Sequence, residues 1–374
     1  MPDAAPDPAL VDRFRADLER LGRAWQTPNP PPPGGGGAEG DGGGGRRQSL
    51  DSTPPPSPSV TLRVPPPPDG GGFLEPLPRI GIALSGGPDS LALLLLAAAA
   101  GPVTALTVDH GLRPGSAAEA DAAGAVARSL GVPHEIARVS VAAGGDGLQG
   151  EARRARYAAL ADWARREGLA AVLTAHHADD QAETVLMRLS RGAGLSGLTG
   201  IRPARLLDEG DPAGPWLLRP LLGWRKAELE AIVGAAGLEP ARDPSNHNAR
   251  FGRTAARTLL AETGWLDPTR LSASASHLRD ADAALEVMTD RFLAEALSTS
   301  EEGIRLTPGD APREIVRRAL RWLFFVHFQA HPDGPGLDRL MAMLAAGRTA
   351  TLAGVLARGG PVWTFGPAPA RRSV

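Results

Sequence analysis

Three short segments carry side chains whose types and spacing suit phosphate chemistry. The first is Ser85-Gly86-Gly87-Pro88-Asp89-Ser90. Paired glycines let a backbone turn sharply and approach a ligand closely, and Pro with a following Asp suits the opening of a helix. Free N–H groups at such an opening, backed by the positive end of the helix dipole, attract anions. Ser85 and Ser90 add hydroxyls. The segment reads as an anion cradle without a lysine, suited to pyrophosphate; a bare Gly-Gly turn would read as an ordinary strand-to-helix connection. The second segment is Asp109-His110-Gly111-Leu112-Arg113. Its arginine can pair bidentately with phosphate oxygens, although Asp and Gly after a strand also make a plain polar turn. The third runs His176-His177-Ala178-Asp179-Asp180-Gln181-Ala182-Glu183-Thr184. Asp180 and Glu183 share one face of a helix, and such oxygen ligands suit Mg²⁺, which takes one or two carboxylates plus substrate oxygens. Capping by Asp179 explains the acids but not the paired histidines. With no cysteine and no third spaced histidine nearby, zinc is a poor match.

These segments need a scaffold that gathers them. Each follows a short apolar run: 80–84, 103–108 and 171–175, with a fourth at 134–139. Helical patterns at 89–100, 116–130 and 149–167 alternate with these runs, and further helices are expected at 178–190 and 225–236. Strand–helix alternation predicts an α/β fold: a mostly parallel sheet with helices on both faces. In such a sheet, loops at the C-terminal strand edges bind ligands, and all three segments lie there. Beyond Trp265 the strand signals fade, and helices are expected at 270–297, 312–329 and 336–346. The domain reading is an N-terminal amphipathic helix (1–26), a Pro/Gly-rich linker (27–77), a catalytic domain (78–266) and a smaller, mainly helical C-terminal domain (267–374). Alternation at Val60, Leu62 and Val64 allows one short strand within the linker. Because residues 1–76 precede the first sheet strand and are largely low-complexity, their removal is expected to leave catalysis nearly intact.

Composition narrows the chemistry. A hydrophobic share of 42% in 374 residues allows a substantial core. The absence of cysteine excludes disulfides, thiolate metal sites, iron–sulfur clusters and cysteine nucleophiles. Lys226 is the only lysine and lies outside any glycine-rich loop, which excludes a Walker-type phosphate loop. A net charge of −2 requires any nucleic-acid site to be a local basic patch. The longest apolar run, 91–100, is far short of the roughly 20 residues a membrane span needs, so a cytoplasmic protein without membrane partners is expected.

The SGGxDS segment resembles the signature loop of the ATP-pyrophosphatase (PP-loop) superfamily. The whole set resembles one of its families, the tRNA(Ile)-lysidine synthases. There SGGxDS is followed by DHGLR, an R-x-x-R-Y helix and AHHxDDQxET, and here Arg153, Arg156 and Tyr157 match the helix motif. Arg191-Gly192-Ala193-Gly194-Leu195-Ser196-Gly197-Leu198 is similar to the family's glycine loop, Arg219-Pro220-Leu221-Leu222 to its RPLL, and Asp243-Pro244-Ser245-Asn246 to its D-x-SN. Order and approximate spacing hold over about residues 79–257. Two places depart: Gln149 stands where the family often has Glu, and Thr254 replaces an Asn between Arg253 and Arg257.

The resemblance implies ATP and Mg²⁺ as cofactors, and free L-lysine and a tRNA(Ile) with a CAU anticodon as partners. Lysine would be joined to C2 of the wobble cytidine through an O2-adenylate, giving AMP and pyrophosphate. ATP would be bound by Ser85, Gly86, Gly87, Pro88, Asp89, Ser90, Asp109, His110 and Arg113. Catalytic roles fall to Asp89, Asp180 and Glu183, with Asp180 the candidate Mg²⁺ ligand and the division between Asp180 and Glu183 left open. Arg153, Arg156, Arg188 and Arg191 are the candidate tRNA contacts. The alternatives are an ammonia-dependent, AMP-forming amide ligase on the same loop, or an ATP-binding module without turnover.

Overall fold

The computed structural model describes residues 5–26, 79–111, 115–141, 147–241, 251–300 and 303–369. The linker with its possible strand at 60–64, Arg113 and the 243–246 motif lie outside the described residues. Two compact units divide the described chain after Leu278.

The first unit holds a six-stranded sheet among its described residues: β1 (Ile80–Ala83), β2 (Val103–Asp109), β3 (His134–Arg138), β4 (Ala171–Leu173), β5 (Ala204–Leu206) and β6 (Trp216–Leu218). Their order is β3-β2-β1-β4-β6-β5. All pairings are parallel except β5 with β6. The helices between are α2 (Pro88–Ala100), α3 (Ser116–Ser129), α4 (Gly147–Arg166), α5 (Ala178–Leu189), the single-turn α6 (Leu195–Leu198), α7 (Lys226–Ala235) and α8 (Phe251–Glu262).

The pleat explains how both faces are covered. Side chains alternate across a strand, so Ile80 and Ile82 pack among the leucines of α2, while Ala83 joins the α4 side. Gly81 also points to the α4 side, where an added Cβ would stand 2.5 Å from the Trp163 ring. That close approach is why a small residue interrupts an otherwise apolar strand. Helix α2 is buried from Ser90 to Ala97 because it lies inside the layer facing α7.

Helix α1 (Pro8–Gln26) belongs to this same core. Val11 and Phe14 are buried in it. Arg13 pairs with Glu228 at 2.7 Å and lies 4.0 Å from the centroid of the Trp224 ring. The Trp224 indole N–H donates to Asp17 at 2.9 Å. Arg15 donates to the Ala99 carbonyl at the end of α2. The apolar stripe of α1 thus completes one face of the sheet layer, so removing residues 1–76 would strip part of this core, whatever its effect on catalysis.

The second unit contains the C-terminal part of α9 (Pro268–Ala296), α10 (Arg313–Phe328) and α11 (Gly334–Ala345). The three helices lie where the sequence pattern puts them. The unit boundary falls within α9, not before it at 267. The unit also has a five-stranded antiparallel sheet: β7 (Leu297–Ser300), β8 (Gly303–Leu306), β9 (Thr349–Leu352), β10 (Val355–Arg358) and β11 (Trp363–Pro367), ordered β7-β8-β11-β10-β9. The register sets Trp363 beside Leu306 and Phe365 beside Ala357 on the inner face. Arg318, buried on α10, is held by Asp282 and Glu286 at 2.6 Å each and by Glu314 at 3.1 Å.

Candidate active site

Strands β1, β2 and β3 step outward in one direction, and the chain then returns to place β4 on the other side of β1. Loops after β1 and β4 therefore diverge from a common edge, which opens a crevice at the switch point. The anion cradle and the His-His-Asp-Asp segment leave from these two strands.

The cradle is braced by its serines. The Ser85 hydroxyl donates to Ser90 Oγ at 3.1 Å, the Ser85 N–H donates to the same oxygen at 3.2 Å, and the Ser90 hydroxyl donates to the Gly87 carbonyl at 3.0 Å. Gly86 has φ +79°, a region L side chains rarely adopt. Its carbonyl accepts from the Ala241 N–H at 2.9 Å. Gly87 is the N-cap of α2 and offers no side-chain cap, so the first N–H groups of the helix stay available to a ligand.

Opposite the cradle, His177 joins three carboxylates. Its Nε2 stands 3.6 Å from Asp89 Oδ2 and 3.4 Å from Asp180 Oδ2, and its Nδ1 3.7 Å from Asp179 Oδ2. It also caps α5: the Asp180 N–H donates to the imidazole, and the Asp180 carboxylate accepts from the His177 N–H at 3.2 Å. Burial opposes the imidazolium. The Asp89 hydrogen bond and the charges of Asp180, Asp89 and Asp179 outweigh it and raise the pKa. Asp179 is committed elsewhere, accepting from Arg225 Nη2 at 3.1 Å and from the Lys226 N–H at 2.8 Å. Burial raises its pKa, but the Arg225 and Lys226 hydrogen bonds prevail and lower it.

Asp180 and Glu183 share a helix face but meet different partners. Glu183 is buried and ion-paired to Arg257 and, at 3.3 Å, to Arg253, both on α8. Burial raises its pKa despite these arginines. Asp89 Oδ1 is buried without a hydrogen-bond partner, beside His177 and Asp180. No group of three His or acidic residues shaped for a metal occurs among the described residues. The unpartnered Asp89 Oδ1 and the neighbouring Asp180 carboxylate are oxygen donors, the ligand type that suits Mg²⁺.

After β2, Asp109 accepts from the Gly111 N–H at 3.0 Å; that bond, helped by Ser116, lowers its pKa against the effect of burial. Burial and the Arg156 charge lower the pKa of His110. His176 lies in a strongly positive field. Burial and the charges of Arg219, Arg156, Arg153 and Arg253 push its pKa well down.

A model of the PP-loop domain matches residues 72–263. The tRNA(Ile)-lysidine synthase of Novosphingobium aromaticivorans is 49% identical over 304 residues, covering 80% of this chain and 92% of that protein. The enzyme of the same name from Zymomonas mobilis subsp. mobilis is 42% identical over 297 residues, covering 79% and 90%. The chain belongs to the tRNA(Ile)-lysidine synthase family. Among solved structures, a U34-tRNA thiolase from Methanococcus maripaludis aligns with a TM-score of 0.44 and 17% identity, covering 54% of this chain and 72% of that one.

Within this lysidine synthase fold, most of the expected residues converge. Ser85 to Ser90, Asp89, Asp180 and Glu183 meet at the β1–β4 crevice, and Arg156 on α4 acts on His110 beyond β2. Arg188 departs from expectation. Its Nη1 donates to the carbonyls of Gly197 and Gly200, at 2.8 and 3.0 Å, so it braces the glycine loop from within. Arg191 is exposed at the end of α5. The sequence pattern assigns no role to Arg205, Arg219 or Arg225. Arg219 had a signal, since it follows an apolar strand within the RPLL segment. Arg205, in a three-residue strand, had none.

Proposed function

We propose that this chain forms lysidine in a tRNA(Ile) with a CAU anticodon, as a cytoplasmic ATP-dependent ligase. The cytidine O2 attacks the α-phosphorus of ATP and pyrophosphate leaves. The ε-amino group of free lysine then attacks C2 and AMP leaves. The observation that carries this reading is the junction of Asp89, His177 and Asp180 directly beside the SGGxDS cradle.

In this reading the N–H groups at the start of α2, with Ser85 and Ser90, hold the leaving pyrophosphate. Asp89 and Asp180 would hold Mg²⁺, which would offset charge on the phosphates. Glu183 acts at one remove: it fixes Arg253 and Arg257 beside the acidic junction. His110 and Asp109 line the nucleotide side. Catalysis is positioning and charge stabilisation without a protein nucleophile.

The test is product formation by the purified chain. AMP, pyrophosphate and lysine-labelled RNA should appear together only with ATP, free lysine and the tRNA(Ile) transcript. AMP formed with ammonia and no tRNA would replace the reading with an amide ligase. ATP binding without turnover under all conditions would reduce the protein to a nucleotide-binding module.

A further inference from the structure

The R-x-x-R-Y segment of α4 has a geometry that the nucleotide and metal chemistry leaves unused. Tyr157 is buried, and its ring carries guanidiniums from two elements. Arg205 of β5 lies 4.5 Å from the ring centroid, Arg153 of α4 5.0 Å and Arg156 of α4 5.3 Å. The Tyr157 hydroxyl is buried with no hydrogen-bond partner. Arg219, at the end of β6, adds its charge to the same group, and His176 after β4 and His110 after β2 feel the same arginines. Among the described residues Arg156 pairs with no carboxylate, and Arg205 has only a 3.9 Å contact with the exposed Glu209 beside its bond to the Leu206 carbonyl.

We propose that Tyr157 is a positioning residue that presents Arg153, Arg156 and Arg205 as a preorganised clamp for a substrate phosphate. A carboxylate could also gather guanidiniums, but it would cancel their charge and occupy their donors. An aromatic face attracts the cations through its quadrupole without neutralising them, and it leaves the N–H fork of Arg156 for a phosphate, which arginine binds bidentately. Holding the side chains in place beforehand lowers the ordering cost of binding. The neutral phenol is essential to the device. Burial pushes the Tyr157 pKa up, but Arg156, Arg153, Arg219 and Arg205 together bring it down to about 8. Above that pH a phenolate forms among the arginines, becomes their counter-ion and competes with the phosphate. The clamp therefore loosens at alkaline pH.

The clamp's ligand rests on the proposed function only for its source: an RNA phosphodiester or the triphosphate of ATP. Calorimetric titrations with an anticodon stem-loop RNA and, separately, with ATP distinguish the two, at pH 7 and pH 9. Wild type should lose affinity at pH 9 in at least one arm. Y157F keeps the ring and should bind as wild type at pH 7 while losing that alkaline weakening. Y157L removes the ring and should weaken the same arm about 10-fold at pH 7. Weakening of RNA binding assigns the clamp to the phosphodiester, and weakening of ATP binding assigns it to the triphosphate. Alkaline weakening that persists in Y157F overturns the proposal, as does a folded Y157L that binds both ligands like wild type. Should Y157L not fold, the Y157F pH comparison decides alone. Failure of wild type to incorporate lysine would defeat the functional reading but not these binding results.

Discussion

Asp180 and Glu183 have the same charge and lie on the same helix face, yet their surroundings give them different work. Two arginines of α8 close around Glu183, whereas Asp180 faces Asp89 across His177. Asp180 also accepts from the His177 N–H and so helps cap α5. Asn at 180 keeps an acceptor oxygen in that place, so the reciprocal bond from the His177 N–H in the capping box can persist. D180N should therefore leave the melting temperature close to that of wild type. Its turnover should drop by at least about 100-fold, because a charge aimed at the reacting groups is removed. Steady-state AMP formation and a thermal melt check both halves; a near-normal rate would remove Asp180 from the catalytic set. The sequence makes Asp180 and Glu183 visible as a pair through their spacing alone. It cannot divide them, because the partners that do so come from α8, some 70 residues further along the chain: Arg257 meets Glu183 at a sequence separation of 74. The capping role of His177 is hidden for a different reason, since histidine is an uncommon N-cap.

At the scale of elements, long helices and buried strands are legible and short partners are not. The strands that form β1 to β4 announce themselves as apolar runs between helices, and the pattern gives their bounds to within a residue or two. Strands β5 and β6 have three residues each, too few for a period to emerge. The strands of the second unit have four or five residues and alternate with Ser, Thr, Arg or Gly, as in β8, where Arg305 faces outward and Leu306 inward. Their pairing is set by the sheet as a whole and not by local propensity. Helix α1 is legible as amphipathic, but what it covers is not, because the 27–77 segment separates it from the strands. Phe14, fully buried there, tests the assignment. F14A should cost about 3–5 kcal/mol of stability, the usual range for truncating a buried aromatic. Urea denaturation of the full chain measures it; a loss below about 1 kcal/mol would mean that α1 is an appendage.

The whole molecule is slightly acidic, with a net charge of −2, yet its proposed substrate is a polyanion. Global attraction cannot supply the binding energy, so RNA affinity has to come from a local concentration of arginines. Such a concentration occurs around Tyr157, where Arg153, Arg156, Arg205 and Arg219 act on one buried group, and the acidic junction of Asp89, Asp179 and Asp180 is balanced by its own partners, His177 and Arg225. Separating the two charge sets lets one chain bind phosphates and still hold carboxylates beside them. Each phosphate that an arginine neutralises releases counter-ion, so the logarithm of RNA affinity should fall linearly with the logarithm of salt concentration, by about 0.7–0.9 per neutralised phosphate. Replacing Arg153 and Arg156 together by Gln should weaken RNA binding and make that slope shallower by about 0.7–0.9 for each phosphate left without its arginine. RNA titrations at several salt concentrations, with ATP titrations as the control, measure both effects. A shallower slope with unchanged ATP affinity places the pair on the RNA. An unchanged slope with weakened ATP affinity moves the pair to the nucleotide, and RNA steering then falls to exposed arginines such as Arg191 at the end of α5.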